Sequence, residues 1–489
     1  LENNAAIGDI DGAAITELTG SAAGVLQALV DLDTDPAAPV AVVLDEGSAA
    51  AADIALLEAN DAAVGTIDGA AITELTGSAA GVLQALVDLD TDPAAPVAVV
   101  LDEGSAAAAD IALLEANDAA VGTIDGAAIT ELTGSAAGVL QALVDLDTDP
   151  AAPVAVVLDE GSAAAADIAL LEANDAAVGT IDGAAITELT GSAAGVLQAL
   201  VDLDTDPAAP VAVVLDEGSA AAADIALLEA NDAAVGTIDG AAITELTGSA
   251  AGVVQALVDL DTDPTNFDVD ITGTHSLADL KTINDATTGA IALDDLTIEL
   301  SGSAADITDA LDGIIGYEGN IVLTAGTASA SDLAAIKNRT TGTIDGAAIT
   351  ELTGSAAGVL QALVDLDTDP AAPVAVVLDE GSAAAADIAL LEANDAAVGT
   401  IDGAAITELT GSAAGVLQAL VDLDTDPAAP VAVVLDEGSA AAADIALLEA
   451  NDAAVGTIDG AAITELTGSA AGVLQALVDL DTDPAAPVA

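Results

Sequence analysis

A segment of 57 residues, repeated almost without change, dominates this sequence. From Gly65 onward it reads GTIDGAAITELTGSAAGVLQALVDLDTDPAAPVAVVLDEGSAAAADIALLEANDAAV. Copies or near copies begin at Gly8, Gly65, Gly122, Gly179, Gly236, Gly289, Gly342, Gly399 and Gly456. The steps on either side of Gly289 are 53 residues and the others are 57. A fixed period of this length is typical of a solenoid or an array, in which each repeat packs on its neighbours.

The repeats divide the sequence into three stretches. Residues 1–264 and 342–489 consist of near-identical 57-residue repeats, and residues 265–341 contain divergent repeats with a 53-residue period. The chain opens and closes inside a repeat, so we expect it to be a fragment of a longer polypeptide. All three stretches are predicted to form one continuous solenoid.

Each repeat is predicted to contain two strands, AAITELTG and VAVVLDEG. In the second strand Val40, Val42 and Leu44 alternate with other residues, which places them on one face. The divergent repeats show the same alternation, with Leu296, Ile298 and Leu300 facing inward.

A predicted helix follows each strand. Ser21 and Ser48 follow glycines and are suitable N-cap residues. Ala22, Val25, Leu26 and Leu29 have the spacing of one helical face, as do Ala50, Ile54 and Leu57 in the second half of the repeat.

This β-α-β-α order predicts an α/β fold, because strands joined through helices become parallel with right-handed crossovers. We expect a right-handed solenoid of stacked β-α half-repeats with a parallel sheet, each coil having the size of a leucine-rich repeat. The alternative is a string of separate small α/β domains. One repeat alone buries too little surface to be comfortably stable, so stacking is favoured.

The charge of the chain excludes several classes of partner. There are 84 acidic and 3 basic residues, a net charge of −81, which repels nucleic acid and anionic membranes. No apolar run reaches the roughly 18 residues of a membrane span, so membrane insertion is not expected. Hydrophobic residues make up 53%, which argues against disorder. Cysteine is absent, which excludes disulfides and thiolate metal sites.

Cations are the expected counterpart of this charge. Equivalent carboxylates such as Asp31 and Asp88 would lie about 9.6 Å apart, two strand spacings, if each half-repeat adds one strand. Each such pair costs about 0.4 kcal/mol in water, and salt screens the repulsion. The sequence therefore predicts a protein whose stability depends on cations.

The run VDLDTDP is a candidate calcium site, because alternating aspartates supply hard oxygen ligands at the spacing that begins calcium loops. The candidate ligands are Asp31, Asp33, Asp35, Asp88, Asp90, Asp92, Asp145, Asp147 and Asp149. Pro36 stands where an EF-hand loop has glycine, and no glutamate occupies the twelfth position. The alternative is a solvated acidic turn closed by proline.

Other polar residues have structural interpretations. Asp45 and Glu46 are expected to lie favourably near a helix N-terminus, and Asp11 and Asp68 of the IDG motif to form turns. His275 is expected in an exposed loop, beside the N-cap Ser276.

The divergent repeats also contain every basic and aromatic side chain of the chain. The three basic residues are predicted to pair with carboxylates or to mark a lateral contact, and the two aromatic residues to pack: Lys281, Lys337, Arg339, Phe267 and Tyr317.

The divergent repeats resemble giant acidic tandem-repeat proteins of the surface of cyanobacteria and other marine bacteria. The resemblance is carried by a T-T-G-x-I strand entry at Thr287–Ile291 and Thr340–Ile344 and an S-G-S-A-A-D-I helix start at Ser301–Ile307. It implies an extracellular or cell-surface structural role in calcium-rich surroundings, and no catalytic residues.

We therefore expect a structural protein that self-associates into a filament, sheath or surface layer. The alternative is an adhesin stalk that holds a binding domain away from the cell. An ice-binding surface is disfavoured because Thr16 and Thr19 do not form a T-x-T face. An enzyme is not expected, because near-identical copies leave no unique cleft.

Overall fold

The computed structural model describes residues 8–489, in which helices and strands alternate in an α/β arrangement. The helices are α1 Ala22–Asp31, α2 Ala51–Glu58, α3 Ala79–Asp88, α4 Ala108–Glu115, α5 Ala136–Asp145, α6 Ala165–Glu172, α7 Ala193–Asp202, α8 Ala222–Glu229, α9 Ala250–Asp259, α10 Leu277–Ala286, α11 Ala304–Ala310, α12 Ala330–Arg339, α13 Ala356–Asp365, α14 Ala385–Glu392, α15 Ala413–Asp422, α16 Ala442–Glu449 and α17 Ala470–Asp479.

The strands are short, of two to six residues. They are β1 Glu17–Gly20, β2 Val40–Leu44, β3 Ser48–Ala50, β4 Val64–Asp68, β5 Glu74–Gly77, β6 Val97–Leu101, β7 Ser105–Ala107, β8 Val121–Asp125, β9 Glu131–Gly134, β10 Val154–Leu158, β11 Ser162–Ala164, β12 Val178–Asp182, β13 Glu188–Gly191, β14 Val211–Leu215, β15 Ser219–Ala221, β16 Val235–Asp239, β17 Glu245–Gly248, β18 Asp268–Ile271, β19 Ile291–Leu293, β20 Leu300–Gly302, β21 Ile321–Leu323, β22 Gly326–Ser329, β23 Ile344–Asp345, β24 Ile349–Gly354, β25 Val374–Leu378, β26 Ser382–Ala384, β27 Val398–Asp402, β28 Glu408–Gly411, β29 Val431–Leu435, β30 Ser439–Ala441, β31 Val455–Asp459 and β32 Glu465–Thr467.

The repeats that begin at Gly65, Gly122, Gly179, Gly342 and Gly399 each contain four strands and two helices, where the sequence predicts two of each. The repeat that begins at Gly65 runs β4, β5, α3, β6, β7, α4. The first predicted strand shrinks to Glu74–Gly77, and the segment VGTID before it forms an additional strand. Between the two, the Asp68 carboxylate accepts a hydrogen bond from the backbone N–H of Ala70 at 3.0 Å. The turn predicted at IDG is thereby confirmed.

The prediction for Ser48 is wrong, whereas the one for Ser21 is confirmed. Ser21 Oγ accepts from the backbone N–H of Gly24, three residues on, as an N-cap does. Ser48 instead begins strand β3, and Ala50 precedes helix α2 without a side-chain cap. The Ser48 hydroxyl donates a hydrogen bond to Glu74. Ser48 therefore belongs to the sheet, whereas its local sequence pattern predicted a helix N-cap.

Every strand ladder within the two compact units described below is parallel, as predicted. Strand β5 pairs with β3 on one side and with β6 on the other, and β6 pairs in turn with β8. Partners in these four strands lie 24 to 26 positions apart, for example Glu74 with Ser48 and with Ala98.

The predicted sheet is divided into short pieces. In residues 8–489 no sheet has more than four strands, and the order of the motifs within a four-stranded sheet of identical repeats is SAA, ELTG, VAVVL, VGTID. The ELTG and VGTID strands of one half-repeat pair with two different VAVVL strands: VGTID with the preceding one, as β4 does with β2, and ELTG with the following one, as β5 does with β6. Each repeat therefore begins a new sheet.

The core lies between the strands and the helices. Ala49, Leu75, Val99 and Ile124 occupy one row across four paired strands, and all are buried. Helix α3 packs against strand β5, and its own buried side chains include Ala79, Val82 and Ala85. Burying each large aliphatic side chain stabilises the fold by about 1.5–3 kcal/mol, and the small alanines allow close approach of helix to sheet.

The chain divides into two compact units. Of the described residues, the first comprises 8–243 together with Val258–Pro264, and the second comprises Thr244–Leu257 with Thr265–Ala489. In the first, neighbouring helices such as α2 and α3 pack together. In the second, α10, α11, α12 and α13 do the same, so the divergent repeats keep the alternation of strand and helix. Phe267 and Tyr317 are fully buried, which confirms their predicted packing role.

Candidate functional site

The three aspartates of each VDLDTDP run do different things. The Asp90 carboxylate accepts from the backbone N–H of Ile67 at 2.8 Å, and its own N–H donates to the Ile67 carbonyl at 2.9 Å. The Asp88 carboxylate accepts from the Gln84 side chain at 2.7 Å. Asp92 lines a cleft between helices. The same contacts are made in the neighbouring copies by Asp33 with Ile10, Asp147 with Ile124, Asp31 with Gln27 and Asp145 with Gln141, while Asp35 lines an equivalent cleft.

The aspartates therefore do not converge. Within residues 8–489 no three carboxylate or imidazole side chains form a group that could hold a metal ion. Asp90 instead ties the segment that follows helix α3 to strand β4, 23 residues earlier. Calcium binding at these residues stays a prediction from the sequence, and so does their alternative, the solvated turn.

Glu46 and its copies hold a helix N-terminus, but not the one expected. The carboxylate of Glu103 accepts from the backbone N–H of Ala79, the first residue of α3, across 24 residues. Five further repeats make the bond at 2.7 to 2.9 Å: Glu46 with Ala22, Glu160 with Ala136, Glu217 with Ala193, Glu380 with Ala356 and Glu437 with Ala413.

Each of these carboxylates faces the positive end of a helix dipole and satisfies an N–H that has no partner within its helix. The helix concerned precedes the glutamate, whereas the sequence suggested the helix that follows it. This contact was not predicted from the sequence, because its partners are 24 residues apart and neither motif indicates the position of the other. Burial raises the pKa of Glu217, and Asp224 and Asp216 act in the same direction, against the hydrogen bond from Ala193.

His275 is buried, contrary to the exposed position expected for it. Its side chain is 7% exposed and lies against Tyr317, with His275 Nε2 3.5 Å from Tyr317 Oη. The Tyr317 hydroxyl donates to the carbonyl of Ile298. His275 Nδ1 is buried and has no hydrogen-bond partner. Burial lowers the pKa of His275, while the nearby Asp295 carboxylate acts in the opposite direction.

The basic residues form ion pairs, as one of the two predictions for them states. Lys281 lies 2.6 Å from Asp309 and Arg339 lies 2.5 Å from Asp312. Lys337 lies 3.6 Å from Asp367. Each pair joins one helix to the helix or loop of a following or preceding half-repeat. The hydrogen bond to Asp309 raises the pKa of Lys281.

Open clefts lie between the C-terminal ends of the two helices of a repeat. One is lined by Leu83, Leu86 and Val87 on the α3 side and by Leu113, Ala116 and Asn117 on the α4 side, with Asp92 and Pro93 at one wall. We call this an interhelical cleft. Those of the repeats that begin at Gly8, Gly65 and Gly342 have volumes of about 630, 640 and 570 Å³.

The interhelical clefts have unusually exposed apolar walls. Val87 is 75% exposed and Leu113 is 57% exposed. Their equivalents in the other near-identical repeats are exposed to the same degree: Val30, Leu56, Val144, Leu170, Val201, Leu227, Val364, Leu390, Val421 and Leu447. The exposure of Val30 does not follow from the sequence, because Val30 comes four residues after Leu26 and eight after Ala22, a spacing that predicts the same apolar helical face.

Comparisons with protein-family models and with curated proteins found no match to this chain. Among residues 8–489, no helix combines the length and the apolar character that crossing a bilayer demands.

Proposed function

We propose that this chain is part of a structural repeat protein of the cell exterior, which associates with itself into a filament, sheath or surface layer. In this proposal the β-α half-repeats of each compact unit wind as a right-handed solenoid with coils of leucine-rich-repeat size. The protein has no catalytic task and acts through its length and its repeated surface.

One observation carries the proposal: consecutive half-repeats are joined by the same contacts in copy after copy. Within a repeat, the Glu103 carboxylate accepts a hydrogen bond from the backbone N–H of Ala79. Between repeats, Ser105 donates to Glu131 at 2.7 Å and Thr130 donates to the carbonyl of Gly104 at 2.8 Å. The leading and trailing faces of a half-repeat are thus complementary. Complementary faces related head to tail generate open fibres when no rotation closes them.

The charge favours an assembly that gathers cations. Each of the three basic side chains of the sequence is paired with a carboxylate, and the sequence has 84 acidic residues. Carboxylates therefore greatly outnumber the cationic side chains that could neutralise them. Repulsion between like charges opposes both folding and association, and dissolved salt weakens it. Salt and divalent cations should therefore promote assembly.

Electron microscopy and light scattering of the purified chain test the proposal. The chain is examined at low ionic strength, in sodium chloride, and in calcium chloride of equal ionic strength. Fibres or layers that appear when cations are added are the expected result. Compact monomers in every condition would overturn the proposal. Elongated particles that never associate would favour the stalk of an adhesin.

A further inference from the structure

We propose that the interhelical clefts bind arginine side chains of a basic partner protein. The alkyl part of each arginine lies on the apolar walls, and its guanidinium group meets the carboxylate at the cleft. This inference does not depend on self-assembly, since it concerns the helix surface and not the faces through which half-repeats stack.

The walls supply the apolar half of the site. Val87 and Leu113 belong to neighbouring helices and stay mostly exposed, although the same helices bury Val82, Ile111 and Leu114. Repeated apolar surface of this kind, bordered by polar residues, is typical of an interaction site. Arginine suits it because its methylene groups cover apolar surface while its charged end stays in contact with water or a carboxylate.

Negative charge supplies the polar half of the site, and it favours a basic partner over a second copy of the chain as the occupant of the cleft. Asp92 lines the cleft directly, and Glu115 and Asp118 flank Asn117 in the sequence. A second copy of this chain, with its net charge of −81, would bring like charges together on this surface. A basic partner gains from the same field.

The divergent repeats contain an arginine of their own at the corresponding place. Arg339 lies ten residues after the N-cap of α12, where Asn60 stands after the N-cap of α2. Asp312 lies nine residues after the N-cap of α11, where Val30 stands after that of α1. Arg339 Nη2 contacts Asp312 at 2.5 Å, and Nη1 donates to the carbonyl of Thr308 at 2.6 Å.

Thr308 in turn occupies the position of Leu26, which lines the interhelical cleft of its own repeat. The Arg339 side chain is 27% exposed, so most of it is covered between the two helices. A guanidinium group therefore fits between helices of this type. In the near-identical repeats no arginine or lysine is available from the chain itself, since all three basic residues lie between positions 281 and 339. The partner supplies it.

The test uses the full chain and a variant in which the clefts are closed at unchanged net charge. The variant copies the divergent repeats by combining a Val→Asp and an Asn→Arg exchange in six repeats. The exchanged residues are Val30, Val87, Val144, Val201, Val364, Val421, Asn60, Asn117, Asn174, Asn231, Asn394 and Asn451. A control variant places the same charges on exposed alanines outside the cleft, Ala80→Asp with Ala109→Arg and their copies.

Binding is measured by calorimetry with a peptide in which arginines alternate with apolar residues, and with a second peptide that has lysine and serine in their place. At about 0.3 M salt, which screens non-specific attraction, the arginine peptide should bind the natural chain at least about tenfold more tightly than the lysine peptide. The closed-cleft variant should lose that preference, and the control variant should keep it.

Equal affinity for the two peptides, or unchanged preference in the closed-cleft variant, would overturn the proposal. Circular dichroism establishes that the variant folds. A reciprocal variant guards against misfolding of the heavily substituted chain: Arg339→Ala with Asp312→Val opens one cleft, and the number of arginine peptides bound should rise. If the natural chain and the control variant self-associate, the closed-cleft variant does not, and the peptide leaves self-association unchanged, the proposal is wrong. That result would assign the surface to a second copy of the chain instead.

Discussion

The carboxylate of Glu103 accepts a hydrogen bond from the backbone N–H of Ala79 at 2.8 Å and so ties a helix to the half-repeat that follows it. Because the bond involves a charge and a partly buried donor, its contribution to stability should be about 1.5–3 kcal/mol at most. The same bond recurs along the chain, so its loss in all copies should be readily measured.

Replacing these glutamates by glutamine should lower the melting temperature. The set comprises Glu46, Glu103, Glu160, Glu217, Glu380 and Glu437. The control set replaces the preceding residue of each pair by asparagine, at Asp45, Asp102, Asp159, Asp216, Asp379 and Asp436. Both sets remove the same charge, but only the first removes the ionic bond at the helix N-terminus. Calorimetry should show a lower melting temperature for the glutamine set and an unchanged or higher one for the asparagine set. Equal shifts would show that charge alone matters.

Gly77→Ala should destabilise the chain by about 1–3 kcal/mol, because Gly77 has a φ of +154° that side chains disfavour. An added Cβ would also lie 3.0 Å from the Cβ of Ala51. Gly104→Ala is the control, since a Cβ there meets only the Thr130 hydroxyl at 3.3 Å. Thermal unfolding should begin at a lower temperature in the first variant than in the second. The opposite order would contradict the conformation of Gly77.

His275 should make the divergent repeats sensitive to acid. Burial lowers its pKa in the folded chain below the ordinary value of 6.5, despite the opposing effect of Asp295. Between the folded and the unfolded pKa the unfolded chain binds more protons, so stability falls as the pH drops below about 6.5. His275→Gln should weaken this loss between pH 7.5 and 5.5, as followed by melting temperatures. The same pH dependence in both proteins would show that His275 does not contribute.

Salt should raise the melting temperature. The Debye length falls from about 10 Å at 0.1 M to 3 Å at 1 M, which screens carboxylates on neighbouring half-repeats from one another. The asparagine set described above carries fewer negative charges, so its melting temperature should rise less. A melting temperature that falls as sodium chloride is added would contradict the proposed cation dependence.

Calcium should stabilise the chain more than magnesium at equal ionic strength if the VDLDTDP runs bind it. Asp92→Asn in every copy should then remove the difference, whereas Asp102→Asn should preserve it, because Asp102 lies outside the run. Calorimetric titration gives the number of ions per repeat. Equal effects of the two metals would leave the run as an acidic turn, in keeping with the engagement of Asp90 by Ile67.

Much of the fold could be predicted from the repeat and from local spacing. Alternation placed Val40, Val42 and Leu44 in the core, and the serine at position 21 marked a helix start. These features depend on neighbours within a few residues. Ser48 has the same local pattern as Ser21, but its hydroxyl donates to Glu74 in the next repeat, and the helix begins at Ala51, two residues later than that pattern predicts.

The features of the candidate sites depend on longer separations. The contact of Glu103 with Ala79 spans 24 residues, and that of His275 with Tyr317 spans 42. A single sequence gives no sign of such partners until the offset between paired strands is known. The additional strand VGTID was missed for the same reason, since its pairing with VAVVL determines its structure and its own alternation is weak.

The regular bonds between half-repeats have a consequence for how such a chain can change over generations. Ser105 donates to Glu131 as Ser162 donates to Glu188. A segment of 57 residues can therefore be lost or gained by recombination without requiring a contact that the chain does not already make. Every junction so created already exists elsewhere in the molecule. Chain length can therefore vary between related cells at little cost to folding.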